Sequence, residues 1–148
     1  MYDDILIPYD GTEQADLGAE HGVALAASVG ATVHALYVID LPGAPRTVYV
    51  RDDEDELREE YREYGEDVTG DVCEMATEAD TDCVAVLKSG SVHEEVADYA
   101  EENGIDLIVV GTPFRGKLGA LLGGTSDRIV RTSPVPVTTV RESADPNA

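Results

Sequence analysis

The chain has 148 residues, 43% of them hydrophobic, enough for one globular, soluble domain whose core needs no metal or disulfide. Its 31 acidic residues outnumber 10 basic ones, and the formal charge of −21 argues against nucleic acid or an anionic membrane surface as partner. No run approaches the ~18 apolar residues of a membrane span, and "MYDDILIPYD" enters a strand pattern without a basic and apolar leader, so the expected location is cytoplasmic.

The acids are dispersed over the predicted helix faces, and lysine occurs only at Lys88 and Lys117. Such a surface is tolerated where salt screens charge over roughly 3 Å at about 1 M, so a halophilic acidic surface is the expectation.

In chain order, residues 5–10, "ILIPYD", are a short apolar run closed by Pro and Asp-Gly, the pattern of a buried parallel strand. Thr12 is placed to cap a helix that runs to Val29 and stops at Gly30, with Ala15, Ala19, Gly22, Val23 and Ala26 on one stripe. Small residues there let the helix lie close to a sheet. "TVHALYVID" (32–40) is a second strand, and 41–50, with two prolines, a loop.

Residues 52–80 keep helical spacing at Leu57, Tyr61, Tyr64, Val68, Val72, Met75 and Ala79, straight through Gly65 and Gly70, which predicts one long helix with a solvated acidic face. A third strand covers 82–88. Ser91 and Glu94 form a capping box for a helix whose apolar stripe is Val92, Val96, Tyr99 and Ala100, ended by Gly104. "DLIVV" (106–110) is a fourth strand, a glycine-rich loop follows, then a helix over 125–132 and a last strand, "VPVTTV" (135–140). Cys73 and Cys83 lack C-x-x-C spacing, and the histidines stand singly at 21, 34 and 93; free, buried or half-buried thiols are expected, with no zinc site.

Strands alternating with helices predict an α/β single-domain, three-layer sandwich: a parallel sheet with helices on both faces and right-handed crossovers. Ligands of such sheets sit at the C-terminal strand ends where the winding reverses. If the first and fourth strands flank that point, Asp10 and Gly111 meet there.

The segment "GTPFRGKLGALLGGTSDRIVR" (111–131) carries Arg115, Lys117, Arg128 and Arg131 against one acid, Asp127, in an otherwise acidic chain. It follows a buried strand and opens a helix, where Gly124 and Thr125 offer unpaired N–H groups, a hydroxyl and the positive end of a helix dipole. That mouth suits a phosphate chain. "GTPFRGK" satisfies G-x-x-x-x-G-K, but Leu118 stands where a P-loop needs Ser or Thr, and no G-x-G-x-x-G follows the first strand. A glycine-rich turn that merely lets a short helix pack is the plain structural alternative. Asp10, in "YDGT", can cap a turn or the next helix as readily as touch a ligand.

The strand "ILIPYDGT", the strand end "YVID", the stretch "EEVADYAEENGIDLIVVGT" and the glycine loop, in this order over residues 3–141, resemble a universal stress protein. The resemblance implies a five-stranded sheet of order 3-2-1-4-5, a domain over 1–141 with a loose tail at 142–148, and a homodimer through the last strand, 135–140. The family's ATP-binding branch carries G-x2-G-x9-G-[ST]. Gly111 matches the first glycine and Gly124 with Thr125 the end, while Phe114 replaces the second glycine and adds bulk, Gly116 lying two residues on. Asp10 and Val38 occupy the positions that contact the adenosine part; Pro8, Arg115, Gly116 and Ser126 complete the candidates. The resemblance implies a stress-response binding protein that takes ATP, with or without Mg2+, or AMP. The alternative is a nucleotide-free dimeric interaction protein of the same fold.

No residue pattern supplies a catalytic base or a metal site, so at most slow ATP hydrolysis is expected. Asp127 beside the loop could hold a magnesium ion or favour the helix N-terminus.

Overall fold

The computed structural model describes residues 1–40, 52–113 and 124–141. The expected tail at 142–148 lies outside the described residues. In chain order the elements are β1 (Asp4–Pro8), α1 (Glu13–Val29), β2 (Thr32–Ile39), α2 (Asp52–Glu78), β3 (Cys83–Ser89), α3 (Val92–Glu102), β4 (Leu107–Thr112), α4 (Thr125–Thr132) and β5 (Val137–Arg141). The five strands are parallel in the order β3-β2-β1-β4-β5, as expected. No helix among the described residues is long and apolar enough to cross a membrane.

The central strands are almost wholly apolar, His34 excepted, because both faces are covered. Ile5, Ile7, Val33, Ala35, Tyr37, Leu107 and Val109 pack with α1 and α2. The alternate residues Leu6, Leu36, Val38, Ile108 and Val110 pack with α3 and α4. Ile5, Leu6 and Ile7 are fully enclosed, each burial being worth about 1.5–3 kcal/mol.

Local signals set the helix ends. Thr12 Oγ1 accepts from the Ala15 N–H at 3.3 Å, and Gly30 closes α1 in the left-handed region at φ 73°. The expected capping bond at Ser91 is absent: its Oγ lies 3.2 Å from His93 Nδ1. An adjacent polar ring competes for the hydroxyl. β5 begins two residues later than expected, because Pro136 has no N–H to give to a ladder; its carbonyl accepts from the Ile108 N–H at 3.0 Å instead.

α2 is one continuous helix, but its buried line is shifted from the expected stripe. Gly65, Val68, Thr69, Val72 and Ala76 are buried, whereas Leu57 and Tyr64 are exposed. Two small groups cause the shift. The Tyr37 ring lies where a Gly65 side chain would be, and Thr69 is buried because its hydroxyl donates to the Gly65 carbonyl at 2.7 Å.

The expectation of free thiols is corrected. Cys73 on α2 and Cys83 at the start of β3 form a disulfide with Cα atoms 5.3 Å apart. After α2 a tight turn in which Asp80 takes φ 56° sends the chain back as β3 against α2, and this reversal brings together two residues that no spacing rule pairs.

His34 is structural, as a lone histidine on a strand suggests, and it has partners on both sides. Its Nε2 lies 2.8 Å from Asp4 Oδ1 and its Nδ1 2.7 Å from Tyr99 Oη, tying β1, β2 and α3 at the end of the sheet away from the cleft described below. At that same end the backbone N–H groups of Asp3 and Asp4 donate to Asp106 Oδ2 at 2.8 and 3.0 Å, which holds the Asp106 carboxyl below the ordinary carboxylate range. A depressed folded value means that this contribution is complete above the unfolded value, about 3.9, and is lost as pH falls through the lower folded value. Asp106→Ala is therefore expected to melt below wild type at neutral pH, with the gap closing in acid. Melting curves across the acid range check this; a gap of constant size at every pH would refute it.

Candidate functional site

A cleft of about 230 Å³ opens at the C-terminal ends of β1, β2 and β4. At roughly 30 Å³ per water, this is the size of a ligand and not of a single bound water. It sits at the reversal of winding between β1 and β4, where the topology rule places ligands.

Among the described residues its walls come from β1, β2, β4, α1, α3 and α4. β1 and the following turn supply Pro8, Tyr9 and Asp10; the start of α1 supplies Thr12, Gln14 and Ala15. Leu36, Tyr37 and Val38 come from β2, Val92 from α3, and Val110, Gly111 and Pro113 from the end of β4. Thr125, Ser126 and Ile129 come from α4. The cleft therefore brings Asp10, Val38, Gly111 and Thr125 together, with Pro8 and Ser126 beside them. Gly124 is the N-cap of α4, next to Thr125 and outside the cleft wall. Arg115 and Gly116, with Phe114, lie outside the described residues.

The chemistry divides in two. Leu36, Val38, Val110 and Ile129 belong to the apolar cluster under α3 and α4 and present a hydrocarbon wall. Opposite it stand hydroxyls, an amide and a carboxylate at the N-termini of two helices, α1 and α4.

Asp10 fills the α1 end. Its Oδ1 accepts from the Thr12 N–H at 3.0 Å and from Thr12 Oγ1 at 2.6 Å, the turn expected of "YDGT". This engages one carboxylate oxygen, Oδ1, of a residue that lines the cleft. At α4 the Gly124 N–H donates to Asp127 Oδ2 at 3.1 Å, so this carboxylate serves the helix N-terminus, one of its two expected roles. Ser126 Oγ donates to Thr112 Oγ1 at 3.0 Å and fastens the first turn of α4 to the end of β4. The first-turn N–H groups of Thr125 and Ser126 have no intrahelical acceptor, and they face a cleft in the field of the helix dipole.

Gly111 has a packing role of its own. A side chain there would enter the backbone carbonyl of Gln14 on α1, and a Cβ at Gly18 would meet Gly111 N at 2.5 Å. α1 lies directly on β4 at this point. The close approach expected of the small-residue stripe Ala15, Ala19, Gly22, Val23 and Ala26 is present, and Gly18, outside that stripe, is where backbone meets backbone.

Sequence reasoning also missed Tyr9, Gln14, Tyr37 and Val92 as cleft residues. The topology rule could have found the first two, which flank Asp10 in sequence; Tyr37 and Val92 carried no signal beyond ordinary core patterning. Burial, reinforced by the bond from its hydroxyl to Asp16, pushes Tyr9 well above the usual phenol range. Burial also raises Tyr37, with smaller effects from Tyr64, Tyr61 and Asp10. Both rings stay neutral at physiological pH, hydrogen-bond donors and not charges.

Comparison with known proteins follows the same lines. A model of the universal stress protein family matches residues 1–141. The chain is 31% identical over 146 residues to universal stress protein MJ0531 of Methanocaldococcus jannaschii, covering 96% of this chain and 84% of that one. Among solved structures it is similar to protein MJ0577, with a TM-score of 0.82 at 25% identity, over 98% of this chain and 99% of that one. It shares its fold with a universal stress protein family protein of Arabidopsis thaliana solved with AMP bound, with a TM-score of 0.71 at 16% identity, over 97% and 94% of the two chains.

Proposed function

Because the chain belongs to the universal stress protein family, we propose that it is a regulatory binding protein whose cleft holds an adenine nucleotide, ATP or AMP. One observation carries the reading: the apolar residues around Val38, the Asp10 carboxylate and the first turn of α4 at Thr125 line a single cleft. Each part matches one part of a nucleotide. The flat base lies against Leu36, Val38 and Val110, which exclude water from its faces. Ribose hydroxyls donate to Asp10 Oδ2, and phosphate oxygens accept from the Thr125 and Ser126 N–H groups and the Thr125 hydroxyl. The AMP in the Arabidopsis structure supports the ligand class.

Occupancy of this site orders the start of α4 against β4, and a nucleotide that does so acts as a signal, with at most slow hydrolysis of ATP. The protein works in the cytoplasm, and its acidic surface is adapted to high salt.

The test begins with protein purified in molar potassium chloride, denatured and searched for released adenine nucleotide by absorbance and mass. Calorimetry with AMP and with ATP, each with and without magnesium, follows. Thr125→Ala is expected to weaken ATP about tenfold, the effect of losing a hydrogen bond to a charged group. Protein that carries no nucleotide and binds none would overturn the reading. The second reading, a nucleotide-free dimeric interaction protein, would then stand. β5 is an edge strand with Val137 and Val140 half-buried and no neighbour beyond it among the described residues. In both readings β5 is the homodimer contact.

A further inference from the structure

We infer that Tyr64, on a helix none of whose described residues lines the cleft, is a positioning residue for the nucleotide and acts through the Asp10–Gly11 turn. The inference rests on the nucleotide reading above. Four observations meet at this side chain. Tyr64 Oη donates to the backbone carbonyl of Asp10 at 2.8 Å. Gly11 takes φ 83°, and the Tyr64 hydroxyl occupies the position that a side chain at Gly11 would need. The Tyr64 ring meets the ring of Tyr37, a cleft residue, edge-on at 5.6 Å and 71°. Yet Tyr64 remains 44% exposed, so burial does not account for its position.

These contacts hold the turn from outside while Thr12 holds it from inside. Thr12 engages Asp10 Oδ1 through its N–H and hydroxyl, and Tyr64 engages the carbonyl of the same residue. Between them the peptide joining Asp10 to Gly11 and the Asp10 carboxylate at the cleft are both held. Glycine at φ 83° is otherwise free to rotate. Without the Tyr64 hydroxyl the turn samples other peptide orientations, and a ligand must select the competent one. That reduces apparent affinity by the fraction of time the competent state is lost. Because the carbonyl is near solvent, water can replace the tyrosine, and the fold itself loses little.

Tyr64→Phe keeps the ring on Tyr37 and removes only the hydroxyl. AMP binding by calorimetry, in molar potassium chloride, is measured for wild type, Tyr64→Phe, Asp10→Ala and the double variant, with melting temperature as the control for folding. The expected result is about fivefold weaker AMP binding for Tyr64→Phe, a melting temperature close to wild type, and no further loss when the change is made in Asp10→Ala. A purely structural role would weaken both backgrounds equally, and that result, or wild-type affinity in Tyr64→Phe, overturns the inference. Hydrogen exchange of the Thr12 amide provides a readout that needs no ligand: it quickens in Tyr64→Phe if the tyrosine holds the turn. If wild type binds no nucleotide, the functional reading falls, and an unchanged Thr12 exchange rate would separately remove Tyr64 from any role in ordering the turn.

Discussion

Gly111→Ala is expected to cost about 3 kcal/mol or more of folding stability, the upper range for overpacking a filled interior. The added Cβ enters the Gln14 carbonyl and crowds the Gly18 nitrogen, both backbone atoms of α1. No side chain can swing aside to relieve such a contact. α1 must lift from β4, and with it Ala19, Val23 and Ala26, which are buried against the same core. Gly18→Ala should cause a similar loss, since its Cβ meets the Gly111 nitrogen from the other side. The two changes should be far from additive, because either one opens the same gap. Denaturant midpoints of the two single variants and the double variant check this. An alanine at 111 with a wild-type midpoint would show that α1 does not lie on β4 this closely. The result also bears on function: a glycine required by helix packing would stand at 111 whether or not a nucleotide is bound. Weight for the ligand therefore rests on Asp10, Val38 and Thr125.

Reduction of the Cys73–Cys83 disulfide is expected to lower stability by about 2.5–3 kcal/mol. The bond closes a loop of sequence separation 10, and the chain-entropy relation assigns about that much to a loop of this length. The bond joins the far half of α2 to β3, an edge strand whose other side has no neighbour among the described residues. Cys73→Ser and Cys83→Ser should each lose the same amount, the pair together should lose no more, and none of these variants should respond to reductant. Denaturant unfolding with and without a phosphine reductant measures the difference, and the intact mass of protein isolated without reductant reads the oxidation state directly. Wild-type midpoints that ignore reductant, or a mass showing two thiols, would remove the bond from the account of stability. The outcome also concerns location, since disulfides persist in oxidising surroundings and are rare where thiol pools are reducing. Two thiols in the intact mass would agree with the proposed cytoplasmic location, and a persistent bond would count against it.

Much of the molecule was legible in the residues taken in order. The apolar runs at 5–8, 35–39 and 107–110 announce strands covered on both faces, and their alternation with amphipathic helices leaves a parallel sheet as the arrangement that buries both. Thr12 and Gly30 mark the ends of α1 by chemistry contained within a few residues. The convergence of Asp10 and Gly111 follows from topology alone, because strand ends that flank the reversal of winding share one cleft.

Other features are products of the packed chain. Ser91 looks like the partner in a capping box, but His93 stands closer to its hydroxyl than the helix backbone does. Tyr64 keeps helical spacing with Val68, yet Gly65 and Thr69 pack into the sheet, and the tyrosine is turned out toward Asp10. Cys73 and Cys83 pair only because the chain reverses after α2 and lays β3 against it. Periodicity and capping act over a turn or two of chain, so they can be read in one dimension. Contacts between elements depend on which backbones come within a few ångströms of each other, and the smallest residues, whose lack of a side chain makes that approach possible, leave almost no trace in a hydrophobic pattern.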